Sequence, residues 1–154
     1  MQIESPAFAN GGAIPSVYTC DGEGINPPLS FRDVPKEAKS LALIVDDPDI
    51  PESAKKSYSV EVWDHWIIWN ISPETVEINQ DSVPVGAVIG KNTSGNNLYG
   101  PPCPPDREHR YFFKLYALDT TLELNPNTKG LELIKAMQGH ILIEAELMGR
   151  YQRK

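Results

Sequence analysis

A histidine that follows a proline-rich loop is the residue of this chain with the clearest chemical potential. Residues 101–105 include four prolines, which lack the N–H that a strand ladder needs, so this stretch must be a stiff, irregular loop. His109 comes shortly after it, and apolar residues then alternate through residue 118, which predicts that His109 begins a β-strand. A titratable ring beside a rigid loop at the edge of a core is typical of a small-ligand site.

Further polar groups lie on two other predicted strands. The apolar run 40–45 stops at an Asp-Pro-Asp sequence that holds Asp47 and Asp49, because proline blocks further pairing. His65 lies within the run 61–71, among tryptophans and isoleucines. Each has an ordinary structural explanation as well, since a lone histidine among apolar residues is usually a hydrogen-bonded core residue and Asp-Pro-Asp is common turn chemistry.

If these strands are neighbours in one sheet, their polar groups converge on one pocket. The imidazole N–H groups of His65 and His109, the O–H of Tyr111 and N–H groups of the loop would then all be donors. Such a set suits an anion, most simply a phosphate or a carboxylate. An aspartate in this pocket would fix which ring nitrogen of a histidine carries the proton, or would pair with a cationic group of a ligand.

The sequence gives no specific signal for a metal or a catalytic nucleophile. His65, His109, Asp47 and Asp64 are of the types found in a two-histidine, one-carboxylate metal site, but their spacing is not specific for one. There is no Gly-x-Ser-x-Gly motif, no phosphate-binding glycine loop, and no helix N-terminus beside Cys103. We therefore predict no metal, no cofactor and no enzymatic activity.

Composition and charge narrow the class of protein. The chain has 154 residues, enough for a single domain over 1–154, and its 14 prolines and 11 glycines favour an all-β plan with many turns. A net charge of -7 disfavours nucleic acid and anionic bilayers as partners. With no apolar run long enough to span a bilayer and no signal-like start, we expect a cytoplasmic protein without stable membrane insertion. In that setting the two cysteines, Cys20 and Cys103, are predicted to be free thiols.

Periodicity predicts mostly strands and one helix. Segments 2–8, 40–45, 61–71, 85–91, 110–118 and 141–149 are expected to be strands. Residues 128–138 are expected to be the only sizeable helix, since Gly139 follows to stop it. The polar stretch 53–59 is expected to be a mobile loop.

Several motifs, in this order along the chain, resemble those of one known family. They are Asp47-Pro48-Asp49-Ile50-Pro51, Trp63-Asp64-His65-Trp66, the loop 100–105, and His109-Arg110-Tyr111. Together they resemble the signature of the phosphatidylethanolamine-binding proteins, also called Raf kinase inhibitor proteins. The Cys103-Pro104-Pro105 form of the loop is similar to that of the shorter bacterial and archaeal branch. One departure is Arg107, where the family commonly has glycine, which could narrow the pocket mouth or add a cation beside it.

The resemblance implies an antiparallel β-sandwich with a small peripheral helix, and an anion pocket. By motif match its site residues are Asp47, Asp49, His65, Pro104, Pro105, His109 and Tyr111, with Asp49 the second choice for the acidic position. The expected function is non-enzymatic binding of phosphate, acetate or a phosphorylated headgroup, which could modulate a protein partner in the manner of a Raf kinase inhibitor. The alternative is a protein inhibitor of a protease or kinase that acts through the rigid proline-rich loop, and a weak hydrolase is a third, less favoured class. A homodimer is also compatible with the sequence.

Overall fold

Strands dominate the computed structural model, which describes all residues, 1–154. Nine strands, two short α-helices and a 3₁₀ turn at Ser16–Tyr18 follow one another along the chain. In chain order the strands and α-helices are β1 Gln2–Glu4, β2 Gly12–Ala13, β3 Leu29–Arg32, β4 Ser40–Asp47, α1 Glu52–Tyr58, β5 Trp63–Ile71, β6 Glu77–Ile78, β7 Val88–Ile89, β8 His109–Leu118, α2 Gly130–Met137 and β9 Ile141–Tyr151.

The strands form two sheets. The larger has six strands in the order β2-β9-β8-β4-β5-β7, and the smaller has three in the order β1-β3-β6. Every residue of β4 is buried, as expected of a central strand with apolar residues on both faces. One pair departs from the antiparallel expectation, since β2 runs parallel to β9 over two residues.

One hydrophobic core joins side chains from both sheets. Ile3, Phe31 and Ile78 of the smaller sheet belong to the same buried cluster as Val45 and Phe113 of the larger one. A second, smaller cluster lies on the opposite face of the large sheet, where α2 packs. The polar residues at the end of β4 are therefore held by strands that are buried on both faces.

The helices differ from expectation in number and in length. The helix predicted over 128–138 spans Gly130–Met137, and the segment predicted as a mobile loop forms α1. No residue of α1 is buried, so the helix has no apolar face that periodicity could reveal. Of the strand predicted over 85–91 only Val88–Ile89 forms a strand, and Lys91 makes an isolated bridge with Lys129. Neither helix is long and apolar enough to cross a membrane.

Candidate anion-binding site

The candidate site lies where three neighbouring strands of the larger sheet meet at one end. Strand β4 lies between β5 and β8 and is antiparallel to both. The end of β4 at Asp47 therefore lies beside the starts of β5 and β8. This topology brings His65, His109 and Tyr111 together with Asp47, although they are far apart in the sequence.

A pocket of about 350 Å³ opens at this end of the sheet. Most of the residues expected to form the site line it, namely Asp47, His65, Pro104, Pro105, His109 and Tyr111. Asp49 is not among the lining residues. Its carboxylate accepts two hydrogen bonds of 2.8 Å from the guanidinium of Arg110. These hydrogen bonds hold the pKa of Asp49 down at about 2.

Burial and one hydrogen bond fix the protonation of His65. Its Nδ1 lies 2.7 Å from the carbonyl oxygen of Gly100. Because a carbonyl only accepts, Nδ1 carries the proton, and the neutral ring has a bare Nε2. Burial lowers the pKa of His65 to about 4, with the Gly100 hydrogen bond acting in the opposite sense. The free pocket thus offers an acceptor at Nε2 near neutral pH, whereas the sequence suggested a donor.

Tyr111 supplies a donor that has no partner in the protein. Its hydroxyl is fully buried and makes no hydrogen bond. The ring packs edge-on against His65, with centroids 5.3 Å apart, and stacks on His109 at 6.4 Å. Burial raises the pKa of the Tyr111 phenol, and the charge of Asp47 adds to this, so the group stays neutral. A buried, unpartnered hydroxyl is costly, so this O–H is available to an acceptor that enters the pocket.

His109 lies between two carboxylates. Its Nδ1 is 2.6 Å from Oδ2 of Asp47, and its Nε2 is 2.8 Å from Oδ1 of Asp106. The exposed Asp106 carboxylate only accepts, so Nε2 of His109 carries a proton, and Nδ1 of His109 shares one further proton with Oδ2 of Asp47 in their hydrogen bond. Asp47 also accepts the backbone N–H of Asp49 at 2.7 Å, and burial raises the pKa of Asp47 in spite of these hydrogen bonds.

The proline-rich loop is tied to a distant turn by a covalent bond. Cys20 and Cys103 form a disulfide, with Cα atoms 5.4 Å apart, so the prediction of two free thiols is wrong. The backbone N–H of Cys20 donates to the carbonyl of Pro102 at 3.0 Å, and the hydroxyl of Tyr99 donates to the carbonyl of Tyr18. These contacts bring the two loops together across 83 residues of sequence, which no local sequence pattern reveals.

Sequence reasoning missed three residues of this region. Tyr58 of α1 and Trp63 of β5 line the pocket, with ring centroids 4.6 Å apart, and Asp106 contacts His109. The spacing of three between Asp106 and His109 was the available signal for that contact. Arg107 lies off the pocket wall, where it donates to the backbone carbonyls of Asp49 and Glu108.

The arrangement is suited to holding a small polar ligand. It combines a bare imidazole nitrogen, a free phenol O–H and a second imidazole hydrogen-bonded to two carboxylates, within aromatic and proline walls. No group of three or more histidine, cysteine, aspartate or glutamate side chains is placed to hold a metal ion.

Comparison with known proteins assigns the chain to a family. A family model described as phosphatidylethanolamine-binding protein matches residues 4–152. A protein of Methanothermobacter thermautotrophicus called UPF0098 protein is 49% identical over 99% of each chain, and one of Chlamydia trachomatis with the same name is also 49% identical over 99% of each chain. The chain belongs to the phosphatidylethanolamine-binding protein family.

Solved structures agree with this assignment. A phosphatidylethanolamine-binding protein homologue of Chlamydia trachomatis superposes with a TM-score of 0.94 at 48% identity, covering 99% of this chain and 97% of that one. The Escherichia coli protein YbcL, described as a new member of the mammalian family, superposes with a TM-score of 0.88 at 28% identity, covering 99% and 98%. The expected bacterial and archaeal resemblance is thereby confirmed, and the fold is the mostly β fold of this family.

Proposed function

We propose that this protein is a non-enzymatic binding protein whose pocket holds a small oxyanion, such as phosphate, acetate or a phosphorylated headgroup. The observation that carries the proposal is the buried hydroxyl of Tyr111, which has no partner in the protein and lies against His65 and His109. A ligand oxygen is the partner that this hydroxyl lacks. Membership in a family named for binding a phospholipid is consistent with such a ligand.

The two histidines fit an oxyanion in different ways. His65 presents a bare Nε2 that takes up a proton when a fully ionised oxyanion binds, or accepts one from a ligand P–OH. His109 has a donor at Nε2, which in the free protein is hydrogen-bonded to the carboxylate of Asp106. The buried Asp47 orients His109 through the hydrogen bond at Nδ1.

Removal of the Tyr111 hydroxyl tests the proposal. Tyr111→Phe deletes the donor and leaves the ring, so the affinity for phosphate should fall roughly tenfold, as expected for one hydrogen bond to a charged group. Because the hydroxyl is unpartnered in the free protein, the stability of the variant should be unchanged or higher. Isothermal titration calorimetry and thermal denaturation give the two readouts.

The matched control is Tyr116→Phe. Tyr116 lies on the same strand and is only half-buried, and its side chain points to the opposite face of the sheet. Its variant should bind phosphate like the wild type. Equal phosphate affinity in Tyr111→Phe and the wild type would contradict the proposal.

The rigid loop favours a second candidate function, inhibition of a protease or kinase partner. Cys103 and Pro105 are exposed on the proline-rich loop, which the disulfide and the Cys20–Pro102 hydrogen bond hold in place. A preorganised loop loses little entropy on docking into a cleft. Inhibition assays against a panel of proteases and kinases, with the wild type and the Cys20→Ser/Cys103→Ser variant, test this role, because a loop released from the disulfide should inhibit less well.

A further inference from the structure

The loop that follows the prolines places a carboxylate of the chain itself on the anion site. Oδ1 of Asp106 lies 2.8 Å from Nε2 of His109, and the His109 side chain is completely enclosed. This hydrogen bond is the main reason why the pKa of Asp106 lies below its ordinary value. No ligand can reach Nε2 of His109 while Asp106 stays there.

Apart from the hydrogen bond to His109, the contacts that hold this segment in place are at the surface. Asp106, Arg107 and Glu108 are exposed, and nearly half of the Asp106 side chain is open to solvent. The guanidinium of Arg107 donates to the carbonyl of Asp49 at 3.2 Å, and Glu108 pairs with Arg150 at 3.1 Å. Exposed contacts of this kind are weak, so this short segment can move while the strands below it stay fixed.

We propose that Asp106 is an internal competitor for the oxyanion site, a carboxylate that the incoming ligand must displace from His109. This inference rests on the proposed function, because it concerns the ligand of the same pocket. The ligand and Asp106 carry the same sign of charge and offer the same kind of acceptor oxygen. His109 already meets Asp47 at Nδ1, so it has one nitrogen, Nε2, for which both compete.

Such a competitor lowers the apparent affinity of the pocket for any ligand that must displace Asp106 from His109. The measured affinity is the intrinsic affinity multiplied by the fraction of molecules in which Asp106 is away from His109. A ligand that binds through the Tyr111 hydroxyl or His65 alone gains nothing from displacing Asp106. Only an oxyanion that can also replace Asp106 on His109 is bound tightly, which selects against neutral ligands.

The test compares phosphate binding by Asp106→Asn and Asp106→Ala with binding by the wild type. Both variants remove the competing charge, so phosphate should bind roughly tenfold tighter, the effect of one charge-assisted hydrogen bond that no longer has to be broken. Glu108→Gln is the matched control, since it removes one negative charge from the same loop without contacting His109. Its effect should be small and should vanish at high salt, whereas that of the Asp106 variants should persist.

The outcomes separate this inference from the proposed function. If the wild type binds phosphate and both Asp106 variants bind it equally or more weakly, Asp106 only stabilises the loop and does not compete with the ligand. The inference then fails while the proposed function stands. The same holds if Glu108→Gln tightens binding as much as the Asp106 variants do. If none of the four proteins binds phosphate, the proposed function fails together with the inference. Thermal denaturation of each variant shows whether it is folded.

Discussion

At the scale of single residues, the site depends on protonation states that the fold imposes. His65 and His109 have opposite surroundings, a backbone carbonyl for one and two carboxylates for the other. The first histidine is therefore neutral with a bare nitrogen, and the second donates from Nε2 to a carboxylate. We expect an anion that binds between them to convert His65 to imidazolium, which would couple binding to proton uptake.

The coupling predicts that affinity for sulfate falls as pH rises. The pKa of His65 is about 4 in the free pocket, and a bound anion raises it. Affinity is then greatest below the free pKa and is lost as pH increases through the bound-state pKa. Sulfate is the suitable probe, because it does not itself titrate between pH 5 and pH 8, roughly the range in which histidine responds.

Calorimetric titrations at several pH values, in buffers of different ionisation enthalpy, measure both the slope and the proton uptake. His65→Gln should remove most of the slope, leaving any contribution of Asp47 and His109, which also line the pocket. His140→Gln is the control, because His140 is exposed and pairs only with Asp119. A slope that survives in His65→Gln unchanged would show that another group takes up the proton.

Several residues that line the pocket could be predicted from the sequence, but their hydrogen-bond partners and protonation could not. Asp47, His65, His109 and Tyr111 could be named because strand ends and loop boundaries are visible in the sequence. The tautomer of His65 depends on the carbonyl of Gly100, which a loop 35 residues away supplies. Asp49 shared its motif with Asp47, yet the two point to different sides, and Arg110 holds the second one at the surface.

At the scale of elements, the central strands were predictable and the short ones were not. The segments that became β4, β5, β8 and β9 carry long apolar or alternating patterns. Helix α1 has no buried residue, and its boundaries at Pro51 and Ser59 are set by backbone geometry, with Ser59 left-handed at φ 54. Two-residue strands such as β7 exist only because a neighbour is there to pair with them.

The contact between β5 and α2 gives a stability prediction. Asp64 lies on the face of β5 opposite to His65, and a Cβ at Gly130 would collide with its carboxylate at the start of α2. Burial raises the pKa of Asp64 to about 6, and its cross-strand neighbour Asp46 adds to this. The raised pKa means that the folded protein favours protonated Asp64, so this residue lowers stability as pH rises from about 4 through 6.

Asp64→Asn should therefore stabilise the fold more at pH 7.5 than at pH 4, by up to about 3 kcal/mol. Urea denaturation at the two pH values measures the difference in the free energy of unfolding. Glu123→Gln, an exposed carboxylate with no hydrogen bond or salt bridge, is the control and should show little change. A gain from Asp64→Asn of the same size at both pH values would rule out ionisation as its cause.

At the scale of the whole molecule, the disulfide links a loop of the N-terminal third to the wall of the pocket. Closing a loop of this length restricts the unfolded chain, so reduction should cost about 2–4 kcal/mol of stability. Guanidinium denaturation of the oxidised protein, the reduced protein and the Cys20→Ser/Cys103→Ser variant measures this. The reduced protein and the variant should agree, and two titratable thiols in the freshly purified, denatured protein would show that the bond is absent.

The same bond makes a covalent ring of residues 20–103, which encloses α1 and the strands β4 and β5. A protease that cuts one peptide bond inside this ring opens the ring but does not divide the molecule. After a cut in α1, Asp47 is on one fragment and His65 and His109 are on the other, and the two fragments stay joined beside the pocket. The nicked protein would migrate as a full-length chain on a denaturing gel until a thiol is added.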